Sequence, residues 1–343
     1  MQADGRVIDF STPAHQSTSE GQSYGMVFAL IAGDRNAFDR LWQWSVTNLG
    51  DGRLDDKLPA WQWGHRDDGT WGVMDRNPAA DADLWFAFAL VEAARVWNVP
   101  AYACAARALL RLVAAQEIVS LPGFGPMLLP GTQGFIRNGP GLCRQWRVNP
   151  SYLPVPLLRR LAIFDPEGPW GALAGQAAKL VRALSRAGIV PDWAAYRAGD
   201  CGHGFLRDPV KGDISSYDAV RVYLWAGMTP DKDDTRRTLL QALQPNAARM
   251  EGRPAPPERM HTETGKVEGV GPRGFSAALL PFLKAVESAA LTAQWVRAQQ
   301  IVGAPSGASG PSYYDTVLGL FGLGFVERRY QFSISGQLDL LQH

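Results

Sequence analysis

Two kinds of helical periodicity alternate along the chain, and no other feature of the sequence constrains the fold as strongly. In the first kind, apolar residues occur on nearly every side, so a helix of that kind must be buried all round. Such segments lie near 20–32, 81–97, 152–163, 216–228, 274–285 and 312–324. In the second kind one face is polar, as in a helix with one side in water. These segments lie near 36–49, 101–118, 170–188, 234–249 and 287–302.

The alternation predicts a ring of inner helices inside a ring of outer helices. Strands do not alternate with helices along the sequence, so a parallel sheet is not expected. No Pro/Ser-rich linker divides the chain, and we therefore predict an all-α double-ring barrel that forms a single domain over residues 1–343. The connections 120–151 and 250–273 are long, and loops of that length are usually functional or contain small elements of their own.

Composition argues against several classes of function. The 34 basic and 33 acidic residues give a formal net charge of +1, and no basic run stands out. Nucleic acid and anionic membranes are therefore not expected partners. No apolar run is long enough to span a bilayer. The 12 tryptophans are an excess that suits stacking against the apolar faces of sugar rings as well as core packing.

The cysteines and the start of the chain leave the compartment open. Cys104, Cys143 and Cys201 are far apart in sequence and form no C-x-x-C pair. One disulfide with a leftover thiol fits this spacing as well as three free thiols do. The polar start lacks the apolar core of a signal peptide, which fits a cytosolic protein and a protein without its leader equally well.

Acidic residues open three of the apolar helices. Glu20 opens the first, Asp81 and Asp83 the second, and Asp218 the fourth. Helix capping explains each site alone, because S-x-x-E and S-x-x-D are capping patterns and acids favour the first helical turn. Three such sites together are less ordinary. If these helix ends share one face of the ring, the carboxylates converge on a central groove.

Convergent carboxylates suit glycoside hydrolysis, which needs one protonated acid for the leaving oxygen and one ionised base or nucleophile. A helix N-terminus favours the ionised form and so lowers the pKa of a carboxyl group. A general acid at such a position therefore needs burial or a nearby like charge to keep its proton. Asp81 is the expected source of that charge for Glu20.

Four stretches of the sequence resemble glycoside hydrolase family 8. They are Thr18-Ser19-Glu20-Gly21-Gln22-Ser23-Tyr24-Gly25-Met26, Asp81-Ala82-Asp83, Asn149-Pro150-Ser151-Tyr152 and Tyr217-Asp218-Ala219-x-Arg221. The likeness extends in order over nearly the whole chain. Within the family, the chain is most similar to the periplasmic members that accompany bacterial cellulose synthase.

The resemblance implies an (α/α)6 barrel and an endo-β-1,4-glucanase that hydrolyses cellulose with inversion and without a cofactor. It makes Glu20 the acid, Asp218 the base that deprotonates water, and Asp81 the residue that binds and helps distort the adjacent sugar. Arg221 keeps Asp218 ionised, unless the two form only an ordinary i,i+3 ion pair. Tyr152 holds the nucleophilic water, or is a buried tyrosine bonded to backbone.

Sugar stacking and core packing compete as explanations for the tryptophans near these motifs. Trp85 lies within an inner helix and is assigned to the core. Trp61, Trp63 and Trp146 lie in loops beside the motifs and are predicted to bind substrate, as is Asp83. The five histidines show no H-E-x-x-H or paired ligand spacing, so no metal site is expected.

Other functions stay open at this point. The same barrel could cleave another β-1,4 polysaccharide, such as xylan, chitosan or a mixed-linkage glucan. A glucan-binding accessory protein that no longer cuts is a second alternative, which the intact Glu20, Asp81, Asp218 and Arg221 disfavour. The resemblance further implies a periplasmic or secreted location, a β-1,4-glucan chain as partner, and a functional link to a cellulose synthase complex.

The periodic segments number six inner helices but only five outer ones, because residues after about 325 are strand-like or irregular. Family members of the cellulose-synthase type have an amphipathic helix ahead of the stretch that matches residues 5–9. We therefore expect eleven long helices, with the apolar side between the last and first inner helices under-covered. Exposed apolar surface costs about 25 cal/mol per Å², so a symmetry mate, a second subunit or the chain's own tail is expected to cover it.

Overall fold

The computed structural model describes residues 1–302 and 312–341. Eleven α-helices lie in these two ranges. In chain order they are α1 Ser19–Ile31, α2 Arg35–Asn48, α3 Ala80–Trp97, α4 Pro100–Gln116, α5 Val155–Phe164, α6 Trp170–Leu184, α7 Ala219–Met228, α8 Arg236–Met250, α9 Arg273–Ala285, α10 Leu291–Gln299 and α11 Tyr313–Val326. Each lies within a few residues of a predicted segment.

Odd-numbered helices form the inner layer and even-numbered helices the outer layer. Consecutive inner helices pack side by side, and each of α2, α4, α6, α8 and α10 packs on the inner helix before it. Helix α3 is buried without interruption from Ala80 to Ala93. Outer helix α4 buries a single stripe, which consists of Tyr102, Ala106, Leu109, Leu110 and Val113. The predicted all-α (α/α)6 double-ring barrel is thus confirmed.

Local sequence explains where these helices begin and end. The Thr18 hydroxyl accepts a hydrogen bond from the Gly21 N–H and caps α1, and Asp34 caps α2 through the Ala37 N–H. Pro100 occupies the first position of α4, where a missing N–H costs nothing. Helix α3 ends at Asn98, whose left-handed backbone stops the helix.

The long connections contain short antiparallel strands, as expected for loops of their length. In chain order the strands are β1 Ser17–Thr18, β2 Gln62–His65, β3 Trp71–Asp75, β4 Ile118–Leu121, β5 Gly125–Leu128, β6 Ile136–Asn138, β7 Arg144–Val148, β8 Ala194–Ala198, β9 Gly204–Arg207, β10 Ile214–Ser215, β11 Arg259–His261, β12 Val267–Glu268, β13 Tyr330–Phe332 and β14 Leu338–Leu340. They form five separate sheets, of which β6-β7-β8-β9 is the largest. A 3-10 turn, Pro150–Tyr152, precedes α5.

The structure decides between the two cysteine arrangements. Cys143 and Cys201 form a disulfide, and Cys104 is an exposed free thiol. The bridge joins the turn between β6 and β7 to the turn between β8 and β9. It therefore staples the two hairpins of the largest sheet to each other.

Eleven α-helices in the described ranges confirm the predicted number, and residues 1–16 form neither helix nor strand. The tail hairpin β13–β14 packs under the barrel: the Leu338 N–H donates to Glu92 of α3, and Arg95 donates to the Leu338 carbonyl. On α11, the side chain of Leu320 is 48% exposed. What covers the side between α11 and α1 stays a prediction. No helix in the described part of the chain is long and apolar enough to cross a membrane.

Candidate active site

The N-terminal ends of α1, α3 and α7 meet at one end of the barrel. Arg221 of α7 joins them: its Nη1 lies 2.7 Å from Oδ2 of Asp81, and its Nη2 lies 2.6 Å from Oδ1 of Asp218. Nη1 also donates to the Tyr24 hydroxyl of α1, at 3.1 Å. The acidic helix ends therefore converge as their sequence pattern predicts. Arg221 makes more than an i,i+3 ion pair, because it bridges carboxylates of two different helices.

Glu20 lies in the first turn of α1 but does not cap that helix, since Thr18 does. The Trp61 indole N–H donates to Glu20 Oε1 at 3.1 Å, and the Ser19 hydroxyl lies 3.3 Å from Oε2. Burial, followed by the negative charge of Asp81, raises the pKa of Glu20 to about 7. These effects exceed the opposing influence of the helix backbone and of Arg221. The environment thus resolves the conflict between a helix N-terminus and a protonated acid.

Asp218 is also freed from capping, although it occupies the N-cap position of α7. Asp192 does the capping instead, because its Oδ1 accepts hydrogen bonds from the N–H groups of Ser216 and Ala219, both at 2.7 Å. The Asp218 carboxylate accepts from the Trp193 indole N–H at 2.9 Å as well as from Arg221. Its side chain is 29% exposed. The Asp218 carboxylate therefore has two hydrogen-bond donors and contact with solvent.

Asp81 is the most buried of the three carboxylates, with 1% of its side chain exposed. Its Oδ1 accepts a hydrogen bond from the Ala82 N–H at 2.9 Å. Burial raises the pKa of Asp81, and the Arg221 guanidinium opposes that rise. The group therefore depends on Arg221 for its charge.

A cavity of about 200 Å³ opens between α1, α7 and α11 at the side chains of Glu20, Asp218 and Arg221. Its polar lining consists of Thr18, Glu20, Tyr24, Tyr217, Asp218, Arg221, Tyr313 and Tyr314. Its apolar lining consists of Trp61, Trp225, Val317, Leu318 and Phe321. The cavity therefore contains two carboxyl groups in different surroundings: Glu20 has a raised pKa, and Asp218 accepts two hydrogen bonds. General acid–base chemistry requires such an arrangement.

Three of the predicted substrate-binding residues lie near these carboxylates or in the same region of loops. Trp61 lines the cavity. Tyr152 lies with its ring 5.6 Å from the Arg221 guanidinium and 6.2 Å from the Trp193 ring. Trp63 stacks on Trp71 at 5.5 Å, outside the cavity lining.

Two other residues predicted to bind substrate have buried side chains, and their role stays a prediction. Trp146 is 5% exposed, because in strand β7 it packs beside Tyr196 of β8. Asp83 is 0% exposed and lies beneath the site against Glu117. Trp85, assigned to the core, is 1% exposed, and that prediction is confirmed.

Sequence reasoning missed several residues of the site. Asp192 and Trp193 contact Asp218 or its helix from about 25 positions earlier in the chain, and Tyr313 and Tyr314 reach the cavity from α11. No local pattern links such distant segments. The one signal for Asp192 was indirect: if Asp218 takes part in the reaction, another residue has to cap α7.

No cluster of three or more His, Cys, Asp or Glu side chains within the described ranges has the arrangement of a metal site. Burial and the Asp218 charge raise the pKa of Asp192 to about 6. The site contains several carboxyl groups that are held in contrasting environments.

Comparison with known proteins identifies the family of the chain. Residues 1–328 match the family model described as Glycosyl hydrolases family 8. The chain is 45% identical over 340 residues to an endoglucanase of Xanthomonas axonopodis pv. citri (strain 306), covering 98% of this chain and 85% of the relative. It is 42% identical over 335 residues to an endoglucanase of Escherichia coli (strain K12), covering 98% and 86%.

Solved structures of endoglucanases have a similar fold. The endo-1,4-D-glucanase of Vibrio fischeri ES114 superposes with a TM-score of 0.91 at 36% identity, covering 99% of this chain and 95% of that one. The endo-beta-1,4-glucanase CMCax of Acetobacter xylinum gives a TM-score of 0.75 at 26% identity, covering 94% and 92%.

Proposed function

The chain belongs to glycosyl hydrolase family 8 and is a glycoside hydrolase of the endoglucanase type, and from that premise we propose that it cuts cellulose within the chain, with inversion at the anomeric carbon. The observation that supports this most directly is the contrast between two carboxyl groups of one cavity. Burial raises the pKa of Glu20 to about 7, whereas Asp218 has two hydrogen-bond donors and access to solvent.

In the proposed reaction Glu20 donates its proton to the glycosidic oxygen as the bond to the anomeric carbon breaks. Asp218 takes a proton from the water that attacks that carbon from the opposite face. An inverting enzyme needs room for this water, so the two carboxyl groups are expected about 6.5–9.5 Å apart. A separation near 5 Å would instead fit a covalent, retaining mechanism.

Other side chains have supporting roles in this proposal. Asp81, held ionised by Arg221, binds a hydroxyl of the sugar beside the scissile bond and favours its distorted ring. Tyr152, beside Trp193 and Arg221, holds the nucleophilic water. Trp61 stacks on a sugar next to the acid, since its exposed fraction of 37% leaves a ring face free while its N–H bonds Glu20.

Internal cutting is tested by comparing viscosity with reducing ends on carboxymethylcellulose. An endo-acting enzyme lowers viscosity while few reducing ends have formed, and Glu20→Gln serves as the inactive control. Activity should also persist in the presence of a chelator. Release of glucose alone from chain ends would contradict the proposal, and so would loss of activity on chelation.

Inversion is tested by following the products of a cello-oligosaccharide by proton NMR. Since the substrate linkage is β, the newly formed reducing end should be the α-anomer before mutarotation mixes the two. A product that is first seen as the β-anomer would rule out the assignment of Asp218 as base for water.

We also propose a periplasmic or secreted location and a link to bacterial cellulose synthesis. The Cys143–Cys201 disulfide supports the location, because disulfides persist mainly in oxidising compartments. Cell fractionation combined with thiol alkylation tests it: cytoplasmic protein with both cysteines alkylated would contradict it. For the link to synthesis, adding the protein to membranes that make cellulose should change polymer length, and Glu20→Gln protein should not.

A further inference from the structure

The indole of Trp193, which donates to Asp218 Oδ2 at 2.9 Å, lies against residues of the largest sheet. Trp193 directly precedes β8, and Arg147 of β7 is paired with Ala195, two positions further along. Because side chains alternate along a strand, this register brings the Arg147 side chain to the same face as the indole. The Arg147 guanidinium carbon lies 4.8 Å from the centre of the Trp193 ring, within the range of a cation–π contact.

Arg147 is itself fixed by a buried carboxylate. Its Nε and Nη2 donate to the two oxygens of Asp208 at 2.7 and 3.1 Å, and the Asp208 side chain is 0% exposed. Asp208 follows β9, and its Oδ1 also accepts from the N–H groups of Val210 and Lys211. A guanidinium held by two hydrogen bonds to one carboxylate has little freedom to turn. The ion pair therefore fixes the guanidinium that lies over the Trp193 ring.

An aromatic contact limits the indole further. Phe135 stacks on Trp193, with ring centres 5.8 Å apart and an angle of 14° between the ring planes. The Arg147 N–H donates to the Phe135 carbonyl at 2.8 Å, so these two neighbours of the indole are also joined through the backbone. An indole has a single N–H donor, whose direction depends on where the ring is held. Here that direction is toward Asp218.

We propose that Arg147, locked by Asp208, is a positioning residue for the base: it holds the Trp193 indole, whose N–H keeps the Asp218 carboxylate turned for proton transfer. The inference rests on the proposed function, in which Asp218 deprotonates the attacking water. Asp218 Oδ1 is bound to Arg221 and Oδ2 to Trp193, which together fix the plane of the carboxylate. Loosening the second bond lets the carboxylate turn about the first. The guanidinium of Arg147 bonds Asp208 and not Asp218, so its effect on the base passes through the indole.

The chain offers a matched control in a second buried pair of the same geometry. Arg159 of α5 donates to both oxygens of Asp233 at 2.8 and 3.2 Å, and the Asp233 side chain is 1% exposed. Asp233 also accepts from the Thr235 N–H, as Asp208 accepts from the N–H groups of its own turn. Within the described ranges the Arg159 guanidinium forms no cation–π contact. Arg159→Met therefore measures the general effect of breaking such a pair.

The position of the indole can be measured without an assay of activity. Each of the 12 tryptophans contributes one indole N–H signal to a proton–nitrogen correlation spectrum, and the signal lost in Trp193→Phe belongs to Trp193. That signal should move or broaden in Arg147→Met and stay in place in Arg159→Met. Thermal melts establish that each variant is folded. An unmoved Trp193 signal in folded Arg147→Met would show that Arg147 does not hold the indole.

The consequence for the reaction is measured as kcat on a soluble cello-oligosaccharide. Arg147→Met should lower kcat by about threefold, less than the roughly tenfold loss expected when Trp193→Phe removes the N–H itself, because the indole is loosened and not lost. KM should change little, and Arg147→Lys should lie between Arg147→Met and wild type. In a Trp193→Phe background, Arg147→Met should have no further effect on kcat, since residues that act through one contact are not additive.

Three kinetic results would overturn the inference. An unchanged kcat in Arg147→Met, whether or not KM changes, would exclude an influence on the base. An equal loss of kcat in Arg159→Met would assign the effect to general destabilisation. A full additional loss in the Trp193→Phe background would mean that Arg147 does not act through the indole. Failure of the proposed function is separate, because it is seen as near-normal turnover of Asp218→Asn and leaves the NMR comparison unaffected.

Discussion

Glu20 and Asp218 occupy matching places at the start of two inner helices and each accepts a hydrogen bond from an indole N–H, yet their charged neighbours differ. At α1, burial and the negative charge of Asp81 raise the pKa of the Glu20 carboxyl group. At α7 the carboxylate is 29% exposed and accepts hydrogen bonds from Trp193 and Arg221. At the N-terminus of each of these two helices, the helix dipole favours the ionised form of a carboxyl group. In the proposed mechanism, burial and neighbouring charges, and not helix position, distinguish the acid from the base.

Helix capping by other residues at both helix starts allows the surroundings of Glu20 and Asp218 to differ. At each terminus another residue performs the capping, Thr18 at α1 and Asp192 at α7. If Glu20 or Asp218 had to cap its own helix, its oxygens would be bound to backbone N–H groups and unavailable for proton transfer. Separating capping from chemistry lets each carboxyl group respond to its own surroundings.

The largest expected effect is the loss of either role. Glu20→Gln and Asp218→Asn should each lower kcat on an unactivated glucan by roughly 10³-fold, because general acid and general base groups contribute on that scale. Both variants should still bind cello-oligosaccharide, which calorimetry can measure. Near-normal turnover in either variant would show that the wrong residue has been named.

Removing the Arg221 guanidinium, which bridges Asp81 and Asp218, should lower both the stability and the activity of the protein. Arg221→Met leaves Asp81 buried without a counter-charge, and breaking a buried pair in this way typically costs about 3–5 kcal/mol. Denaturant unfolding measures that loss, and kcat should fall with it. Arg221→Lys is the matched control: it keeps the charge but cannot hold both carboxylates, so it should lie between wild type and Arg221→Met. A Met variant as stable as the wild type would contradict the bridge.

The raised pKa of Glu20 predicts a pH limit to activity. With the pKa at about 7, the acid loses its proton as pH rises through 7, and kcat/KM should then fall roughly tenfold per pH unit. The contribution of Glu20 to the stability of the fold also decreases as pH rises. Because the pKa of folded Glu20 exceeds its ordinary value of 4.5, this group's contribution to stability is fully present at low pH and is lost as pH rises from 4.5 to about 7. A high-pH limb centred near 5 would contradict the burial of Glu20.

The smallest expected effect at the site itself follows from removing one hydrogen-bond donor to Asp218. Trp193→Phe removes the N–H that bonds Asp218 but keeps a ring beside Phe135, on which Trp193 stacks at 5.8 Å. Loss of one hydrogen bond to a charged group should reduce kcat by about tenfold. Trp146→Phe, in the buried part of β7, is the control and should have little effect on KM. A larger effect from Trp146→Phe than from Trp193→Phe would support the predicted sugar-stacking role of Trp146.

The double ring was predictable because it depends on local patterns. The contrast between α3, buried from Ala80 to Ala93, and α4, with its single stripe, is written in the order of apolar residues. The acidic starts of α1, α3 and α7 were visible for the same reason. Contacts between distant segments were not: Asp192 and Trp193 reach α7 from another part of the chain.

Burial of single side chains was also beyond a local pattern. Asp83 and Asp81 lie two positions apart in one motif, but only Asp81 meets Arg221, and Asp83 faces Glu117 instead. Trp146 and Trp61 both lie in connections beside the motifs, yet sheet packing hides the first and leaves the second 37% exposed. The chemistry of a residue type can be read from sequence, whereas its access to substrate depends on which elements pack over it.

The most direct test of the acid and base assignment uses a substrate that needs no acid. An aryl cellobioside with a dinitrophenolate leaving group departs without protonation, so the defect of Glu20→Gln should largely disappear on it. Asp218→Asn should remain as impaired as on cellulose, because water must still be deprotonated. If Asp218→Asn is the variant restored by the activated leaving group while Glu20→Gln stays inactive, the two roles are reversed and the account is contradicted.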